Sequence, residues 1–273
     1  LYRGNASVLF HWLESQPPAP SGRSYLNLAS NHDGIGLSWL AGLLPEESLR
    51  ALIAEAVSQG ALVSSRRPTA KGEDLPWEIN ATWFSACAGG APEHSVSCLL
   101  ATQSVLLALR GVPALYLPVL LAGTNDYGRV KESQDNRAIN RGRFDAGAWE
   151  RAAVDPGSKE AATLAGIKKL LGARRSCAAF HPKSAQRMID LENAAVLALE
   201  RTPVGALPGG TKSVLCMISF SSRPIRIAGA KLRTARTSLE KGWRDLISGE
   251  TGGWDEELCL APFQARWLAS AHE

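Results

Sequence analysis

The fold of this chain is decided by one stretch, Tyr25-Leu26-Asn27-Leu28-Ala29-Ser30-Asn31-His32-Asp33-Gly34-Ile35-Gly36. Its apolar first half has the character of a short strand, and polar residues follow in a turn that glycine relaxes. In a parallel α/β barrel, functional side chains lie at the carboxyl ends of the strands. The pattern therefore predicts that His32 and Asp33 lie at such an end. The alternative is an ordinary polar turn after a strand.

Adjacent histidine and aspartate side chains at a strand end have a defined chemistry. An imidazole can donate a hydrogen bond to one hydroxyl of a sugar, while a carboxylate accepts hydrogen bonds from two. The same carboxylate can stabilise the positive charge of an oxocarbenium-like transition state. His32 and Asp33 are therefore candidate site residues for a sugar substrate.

Length and composition exclude several classes of protein. The 273 residues, 45% hydrophobic and 21% charged, allow one large or two modest globular domains. A net charge of +4 is mild and gives no support to a nucleic-acid partner. No stretch approaches the ~20 apolar residues of a membrane span, so we expect no membrane partner. Five scattered cysteines favour reduced thiols and a cytoplasmic location, and no ligand cluster suggests a metal or other cofactor.

The periodicity of apolar residues changes along the chain. Helical spacing predicts four helices, over residues 5–14, 45–60, 93–110 and 156–175. Strands are expected over 24–29 and over 112–121, and the second is apolar throughout, as in a buried parallel strand. Past Pro182, short strand candidates alternate with turns. We therefore expect a domain boundary near residue 184.

Five segments, in order, resemble the sucrose phosphorylase-like branch of the α-amylase superfamily (glycoside hydrolase family 13). His32-Asp33-Gly34-Ile35-Gly36 is similar to that branch's form of the superfamily's fourth conserved region. The other segments resemble the acceptor-side loop, the last barrel strand, the loop after it and the terminal β-domain, at residues 75–84, 110–116, 121–141 and 242–268.

The resemblance implies an α/β fold: the C-terminal part of a (β/α)8 TIM barrel, residues 1–183, followed by an antiparallel β-sheet domain, residues 184–273. A complete barrel needs about 250 residues, whereas the fourth region begins here near residue 31. We therefore expect a C-terminal half that needs the missing N-terminal half of the barrel for a complete fold. The family's nucleophile and acid/base glutamate precede the His-Asp motif and have no counterpart here.

The function implied by the resemblance is that of a retaining glycoside phosphorylase. Such an enzyme transfers a glucosyl unit from an α-glucoside, such as sucrose or glucosylglycerate, to inorganic phosphate and gives glucose 1-phosphate. Asp33 is implied as the fixed catalytic carboxylate and His32 as a ligand of the glucosyl ring. The chain alone is expected to be inactive. Two alternatives remain open: an α-glucosidase or amylosucrase-type enzyme, and a non-catalytic member of the superfamily.

Four further residues are implied to bind substrate. Asp74, Trp77 and Glu78 belong to the acceptor-side loop, although Trp77 and Glu78 also fit a packed aromatic and a solvated acid. Sucrose phosphorylases typically have tyrosine and glutamine at these last two positions, so the segment is more similar to relatives acting on glucosylglycerate, glucosylglycerol or phosphorylated sucrose. Arg174 is implied to close the site by pairing with an early-barrel aspartate, and helix capping is its alternative role.

Overall fold

The computed structural model describes residues 4–40, 42–66, 75–90, 92–205, 213–235 and 242–270. The helices in these ranges are α1 Ser7–Ser15, α2 Glu46–Ser58, α3 Trp83–Gly90, α4 Ser95–Ala108, α5 Leu117–Leu120, α6 Tyr127–Ser133, α7 Ala146–Val154, α8 Lys159–Arg175 and α9 Gly229–Ala235. The strands are β1 Leu26–Leu28, β2 Ile35–Gly36, β3 Leu62–Arg66, β4 Leu75–Asn80, β5 Val112–Ala114, β6 Ala185–Met188, β7 Val196–Thr202, β8 Val214–Ser219, β9 Ile225–Ile227, β10 Gly242–Asp245, β11 Thr251–Gly253, β12 Leu258–Leu260 and β13 Ala265–Ser270.

The helices begin where the local sequence predicts. Helix α2 starts directly after Pro45 and has Glu46 and Glu47 in its first turn, where acidic side chains complement the positive end of the helix dipole. Helix α8 starts after Ser158, whose hydroxyl accepts a hydrogen bond from the backbone N–H of Ala161 at 2.9 Å. The four helices predicted from apolar spacing are confirmed as α1, α2, α4 and α8.

Strands β1 and β5 form a parallel pair, with Leu26 opposite Val112. The prediction of one buried strand over 112–121 is wrong, because β5 has only three residues and the chain turns into helix α5 at Leu117. Pro118 favours that turn, since a proline in the first helical turn gives up no helical hydrogen bond. Val112 is 44% exposed, because each of these two strands pairs with a single neighbour in the described part of the sheet.

The segment expected to be an acceptor-side loop is instead largely a strand. Strand β4 lies between β2 and β3 in a three-stranded antiparallel sheet; β3 precedes it closely in the sequence, whereas β2 lies about 40 residues upstream. The register shifts between Ser64 and Ser65, so that Trp77 has no partner on β3. Such a bulge also tolerates Pro76, which has no N–H for the ladder.

The expected antiparallel β-domain is confirmed as a six-stranded sheet in the order β11-β10-β13-β8-β7-β6. Both of its faces are buried. On one face, Leu197, Ile218 and Trp267 belong to the same core as helices α4 and α8. On the other, Met217 and Leu268 pack in a second core that includes strands β9 and β12. The sheet therefore shares one core with the helices that precede it.

A buried arginine joins the sheet to helix α4. Arg201 on β7 is fully buried and donates hydrogen bonds to the backbone carbonyls of Ala108 at 2.6 Å, His181 at 2.9 Å, Ala185 at 3.2 Å and Ser184 at 3.3 Å. Burial lowers the pKa of Arg201 to about 10. The guanidinium thus satisfies carbonyls at the end of α4 and in the turn that leads into the sheet.

None of the helices in the described ranges combines the length and the apolar composition that crossing a bilayer requires.

Candidate active site

The turn that follows β1 is held in place by its own first residue and by a distant segment. Asn31 accepts, through Oδ1, a hydrogen bond from the backbone N–H of Asp33 at 2.8 Å. Asn140 Nδ2 donates to the carbonyls of Asn31 and Asp33, and Arg141 Nε donates to the carbonyl of His32 at 2.8 Å. The short 3-10 helix Asn136–Asn140 therefore fixes the His-Asp turn from its backbone side.

Three side chains approach one oxygen of Asp33. Its Oδ1 lies 2.9 Å from Nη1 of Arg137, 3.5 Å from Nη2 of Arg141 and 3.7 Å from Nε2 of His32. The Asp33 side chain remains 36% exposed, so the carboxylate is also open to solvent. Two permanent cations thus hold the carboxylate and leave part of it accessible to a ligand.

Arg137 also binds Glu78, through the other two nitrogens of its guanidinium. Its Nε donates to Oε1 at 2.7 Å and its Nη2 donates to Oε2 at 2.9 Å, while Glu78 is only 3% exposed. The hydrogen bond and the charge of Glu78 raise the pKa of Arg137, and the charges of Asp33 and Asp135 add to this effect. A bidentate pair of this kind fixes the orientation of the guanidinium plane.

A glycine is needed at residue 34 because a side chain would have no space there, and not because of the backbone φ angle. A Cβ at this position would lie 2.5 Å from Cγ of Glu78 and 2.7 Å from Oδ1 of Asn80. Its backbone lies outside the left-handed region, so the expectation of a turn that only glycine relaxes is wrong here. The glycine lets the side chain of Glu78 pass beneath the turn.

The structure brings together three of the expected site residues: His32, Asp33 and Glu78. Trp77 is 40% exposed, and Cζ of Arg66 lies 5.1 Å from the centroid of its ring, within range of a cation–π contact. Asp74 lies outside the described residues.

Arg174 lies on backbone carbonyls near the end of α4. It donates to the carbonyl of Leu107 and, through Nη2, to that of Gly111 at 2.9 Å, and burial lowers its pKa. These partners do not belong to the group around Asp33. The carbonyls belong to α4 and to the turn after it, and not to α8, which carries Arg174, so these are not contacts that cap its own helix. A role of Arg174 in closing the site stays a prediction.

Sequence reasoning missed Arg137, Arg141 and Asn140 as site residues, although it singled out their segment. The charges of the expected site residues could have identified the two arginines. Two carboxylates expected at one site, Asp33 and Glu78, require cations nearby, and the segment supplies two arginines four residues apart. In the described ranges, no group of three or more His, Cys, Asp or Glu side chains is arranged to hold a metal ion.

An apolar cleft of about 650 Å³ opens beside the site. It is bordered by Trp12 of α1, Leu28 of β1, Ile35 of β2, Ile79 of β4 and Val105 of α4. Neither Asp33 nor Glu78 lines the cleft, so it is distinct from the polar cluster.

The fold is that of the C-terminal part of enzymes of the α-amylase superfamily, glycoside hydrolase family 13. The structure resembles the sucrose 6F-phosphate phosphorylase of Thermoanaerobacter thermosaccharolyticum with a TM-score of 0.63 at 22% identity, over 80% of this chain and 40% of that one. It also resembles AmyP in complex with maltose, with a TM-score of 0.54 at 14% identity, over 97% of this chain and 44% of that one. No protein-family model matches the chain.

Comparison with curated relatives indicates which branch of the superfamily the chain resembles. The chain is 30% identical to the glucosylglycerate phosphorylase of Escherichia coli and 29% identical to that of Allomeiothermus silvanus, in both cases over 97% of its own length and 44% of theirs. It is 28% identical to the sucrose phosphorylase of Bifidobacterium adolescentis over 52% of its length. The chain is therefore similar, over most of its own length, to the sucrose phosphorylase-like branch of the superfamily. It spans less than half the length of these relatives and corresponds to their C-terminal part.

Proposed function

We propose that this chain forms the C-terminal part of a retaining glycoside phosphorylase. The enzyme would transfer a glucosyl unit from a small α-glucoside to inorganic phosphate and release glucose 1-phosphate. The observation that carries the proposal is the Asp33 carboxylate, held by Arg137 and Arg141 beside His32 at the end of β1. The similarity to glucosylglycerate phosphorylases over 97% of the chain supports it.

Asp33 is the fixed carboxylate in this scheme. The contacts of Arg137, Arg141 and His32 are all made to Oδ1, so we assign Oδ2 to the hydroxyls of the glucosyl ring. His32, with two thirds of its side chain exposed, donates to a neighbouring hydroxyl. Hydrogen bonds of this kind strengthen as the ring distorts towards the oxocarbenium-like transition state.

The covalent steps need two further carboxyl groups, which we assign to the part of the barrel that the relatives have in addition. One carboxylate attacks the anomeric carbon as the second carboxylic acid protonates the leaving oxygen, and the bond to the leaving group breaks. An oxygen of phosphate then displaces the carboxylate and forms the new bond to the anomeric carbon, while the second group, now ionised, takes up the proton that phosphate loses. The product is glucose 1-phosphate.

The same additional part of the barrel is the partner that we propose for the open side of this chain. The apolar cleft and the parallel pair β1 and β5, each with one neighbour in the described residues, are what two strands of a barrel would present without the others. With that part in place, the cleft is closed and water is excluded from the site, which a transfer to phosphate requires.

For the donor, we propose glucosylglycerate or a similar small α-glucoside, because the relatives that match 97% of the chain are glucosylglycerate phosphorylases. Asp74 and Trp77 remain the acceptor-side residues, with Arg66 over the Trp77 ring as a cation near a carboxylate-bearing acceptor. The cytoplasm is the compartment we propose, in keeping with five cysteines that are all free thiols.

The proposal is tested by co-expressing the chain with the N-terminal part of a related phosphorylase and incubating the complex with glucosylglycerate and phosphate. Glucose 1-phosphate should form in proportion to phosphate, and Asp33→Asn should lower its rate by at least about 100-fold. Release of free glucose at a rate independent of phosphate would instead indicate an α-glucosidase. A well-folded complex with no turnover would indicate the non-catalytic alternative.

A further inference from the structure

Glu78 is expected from the sequence to bind the acceptor, but its surroundings leave little room for that role. Its Oε1 accepts from Nε of Arg137 at 2.7 Å and its Oε2 accepts from Nη2 of the same residue at 2.9 Å. With 3% of the residue exposed, the carboxylate is both occupied and shielded from a ligand.

The same guanidinium reaches Asp33 with its remaining nitrogen, since Nη1 of Arg137 lies 2.9 Å from Oδ1. A guanidinium is planar and rigid, so fixing Nε and Nη2 also fixes the position of Nη1. The orientation of Arg137, and with it one contact of the Asp33 carboxylate, is therefore set by Glu78.

Two other features of the chain support this arrangement. Gly34 carries no Cβ, and that space is taken by Cγ and Cδ of Glu78, which would lie 2.5 and 2.7 Å away from such an atom. The backbone N–H of Arg137 donates to Oδ1 of Asp135 at 2.9 Å, which anchors the other end of the residue. Arg137 is thus restrained at its backbone and at its guanidinium.

We propose that Glu78 is a positioning residue, which fixes the guanidinium of Arg137 and thereby holds the Asp33 carboxylate in its productive orientation. This inference rests on the proposed function, because the role of Asp33 is assigned there. It replaces direct binding of the acceptor by Glu78.

The test is a double-mutant cycle in the co-expressed, phosphorylase-competent complex, with Glu78→Gln, Arg137→Gln and the double variant. A small misplacement of a group at the reacting centre costs up to about 100-fold in rate. Glu78→Gln should therefore lower kcat by roughly 10- to 100-fold and leave the KM values for acceptor and phosphate within about threefold. Because Glu78 acts through Arg137, its substitution should have little further effect once Arg137 is replaced.

A matched control is Glu200→Gln. Glu200 is also 3% exposed and accepts from Nη2 of Arg187 at 2.9 Å, but it lies on β7 in the terminal sheet. This substitution should lower thermal stability to a degree similar to Glu78→Gln and leave kcat unchanged. A purely structural role of Glu78 would make the two variants behave alike.

Three results would overturn the inference: an unchanged kcat in Glu78→Gln, additive effects of Glu78→Gln and Arg137→Gln, or a rise in the acceptor KM alone. If the unmutated complex shows no phosphorolysis, the proposed function fails. The restraint of Arg137 by Glu78 is then tested by NMR on the chain alone. The Nε–H of Arg137 should then give a slowly exchanging NMR signal that is lost in Glu78→Gln and kept in Glu200→Gln. A rapidly exchanging Nε–H in the unmutated chain would contradict the positioning role.

Discussion

The side chain of Glu78 occupies the space that a Cβ of residue 34 would need, with Cγ 2.5 Å from that position. Two sequence motifs that are 44 residues apart are therefore one structural unit. The turn after β1 can carry Asp33 above strand β4 only because residue 34 is glycine, and the carboxylate beneath it fixes Arg137.

This relationship predicts the effect of Gly34→Ala. The added methyl group must displace the Glu78 side chain, and such overpacking costs about 1–3 kcal/mol in the free energy of unfolding. Urea denaturation measures the loss. The control is Gly172→Ala in helix α8, where the new Cβ has no atom within 4 Å apart from its chain neighbours and the helix backbone, and alanine favours the helix. Equal effects of the two substitutions would contradict the close approach at residue 34.

Arg201→Met is expected to be strongly destabilising. It leaves the buried carbonyls of Ala108 and His181 without the donor that they have in the structure, at a cost of about 3 kcal/mol or more. The control is Arg233→Met, whose exposed ion pair with Asp255 is worth at most about 1 kcal/mol. Chemical denaturation of both variants measures the free energy of unfolding. An Arg201→Met protein as stable as the control would refute the role of Arg201 in holding the sheet to helix α4.

The cysteines should differ in reactivity. Burial raises the pKa of the Cys216 and Cys177 thiols, whereas Cys259 is exposed. An aromatic disulfide reagent at pH 8 should therefore modify Cys259 first and Cys216 only on unfolding. Rapid modification of Cys216 in the folded chain would contradict its burial.

The same shift at Cys216 makes stability depend on pH. The unfolded thiol ionises near pH 8.5, while the folded thiol stays protonated. The contribution of the buried, protonated thiol to the free energy of unfolding is complete below that pH. It is lost as the pH rises towards the pKa of the folded thiol, because the folded state then binds more protons than the unfolded state. Cys216→Ala should remove this part of the slope between pH 8.5 and 10.5. Identical slopes in the two proteins would count against it.

A piece containing only residues 184–270 should not unfold cooperatively. Without helices α4 and α8, one whole face of the sheet loses its cover, including Leu197, Ile218 and Trp267. Exposure of an apolar sheet face favours a loosely packed or associating state. Circular dichroism during heating, compared with a piece that begins at residue 83, measures this. A sharp, reversible transition of the shorter piece would show that the sheet domain is independent.

Much of the fold could be predicted from local sequence. Apolar residues at helical spacing were sufficient for α1, α2, α4 and α8, because one buried face per helix is a property of the helix itself. The alternation of short apolar segments and turns predicted a β-rich end of the chain, and the resemblance implied that its sheet is antiparallel. The strand before His32 and Asp33 was predicted from its composition and the polar turn after it.

The sequence by itself determined helices α1, α2, α4 and α8, the β-rich end of the chain and the pair His32–Asp33. The tertiary structure decided what depends on partners far along the chain. Strand β4 has neighbours on both sides only after folding, so Trp77 and Glu78 lie on a strand where a loop was expected. Arg137 meets Glu78 from 59 residues away, and Arg201 finds its carbonyls up to 93 residues away. Long-range hydrogen bonds and charges satisfy groups that burial has removed from water, and local composition does not encode which groups those are.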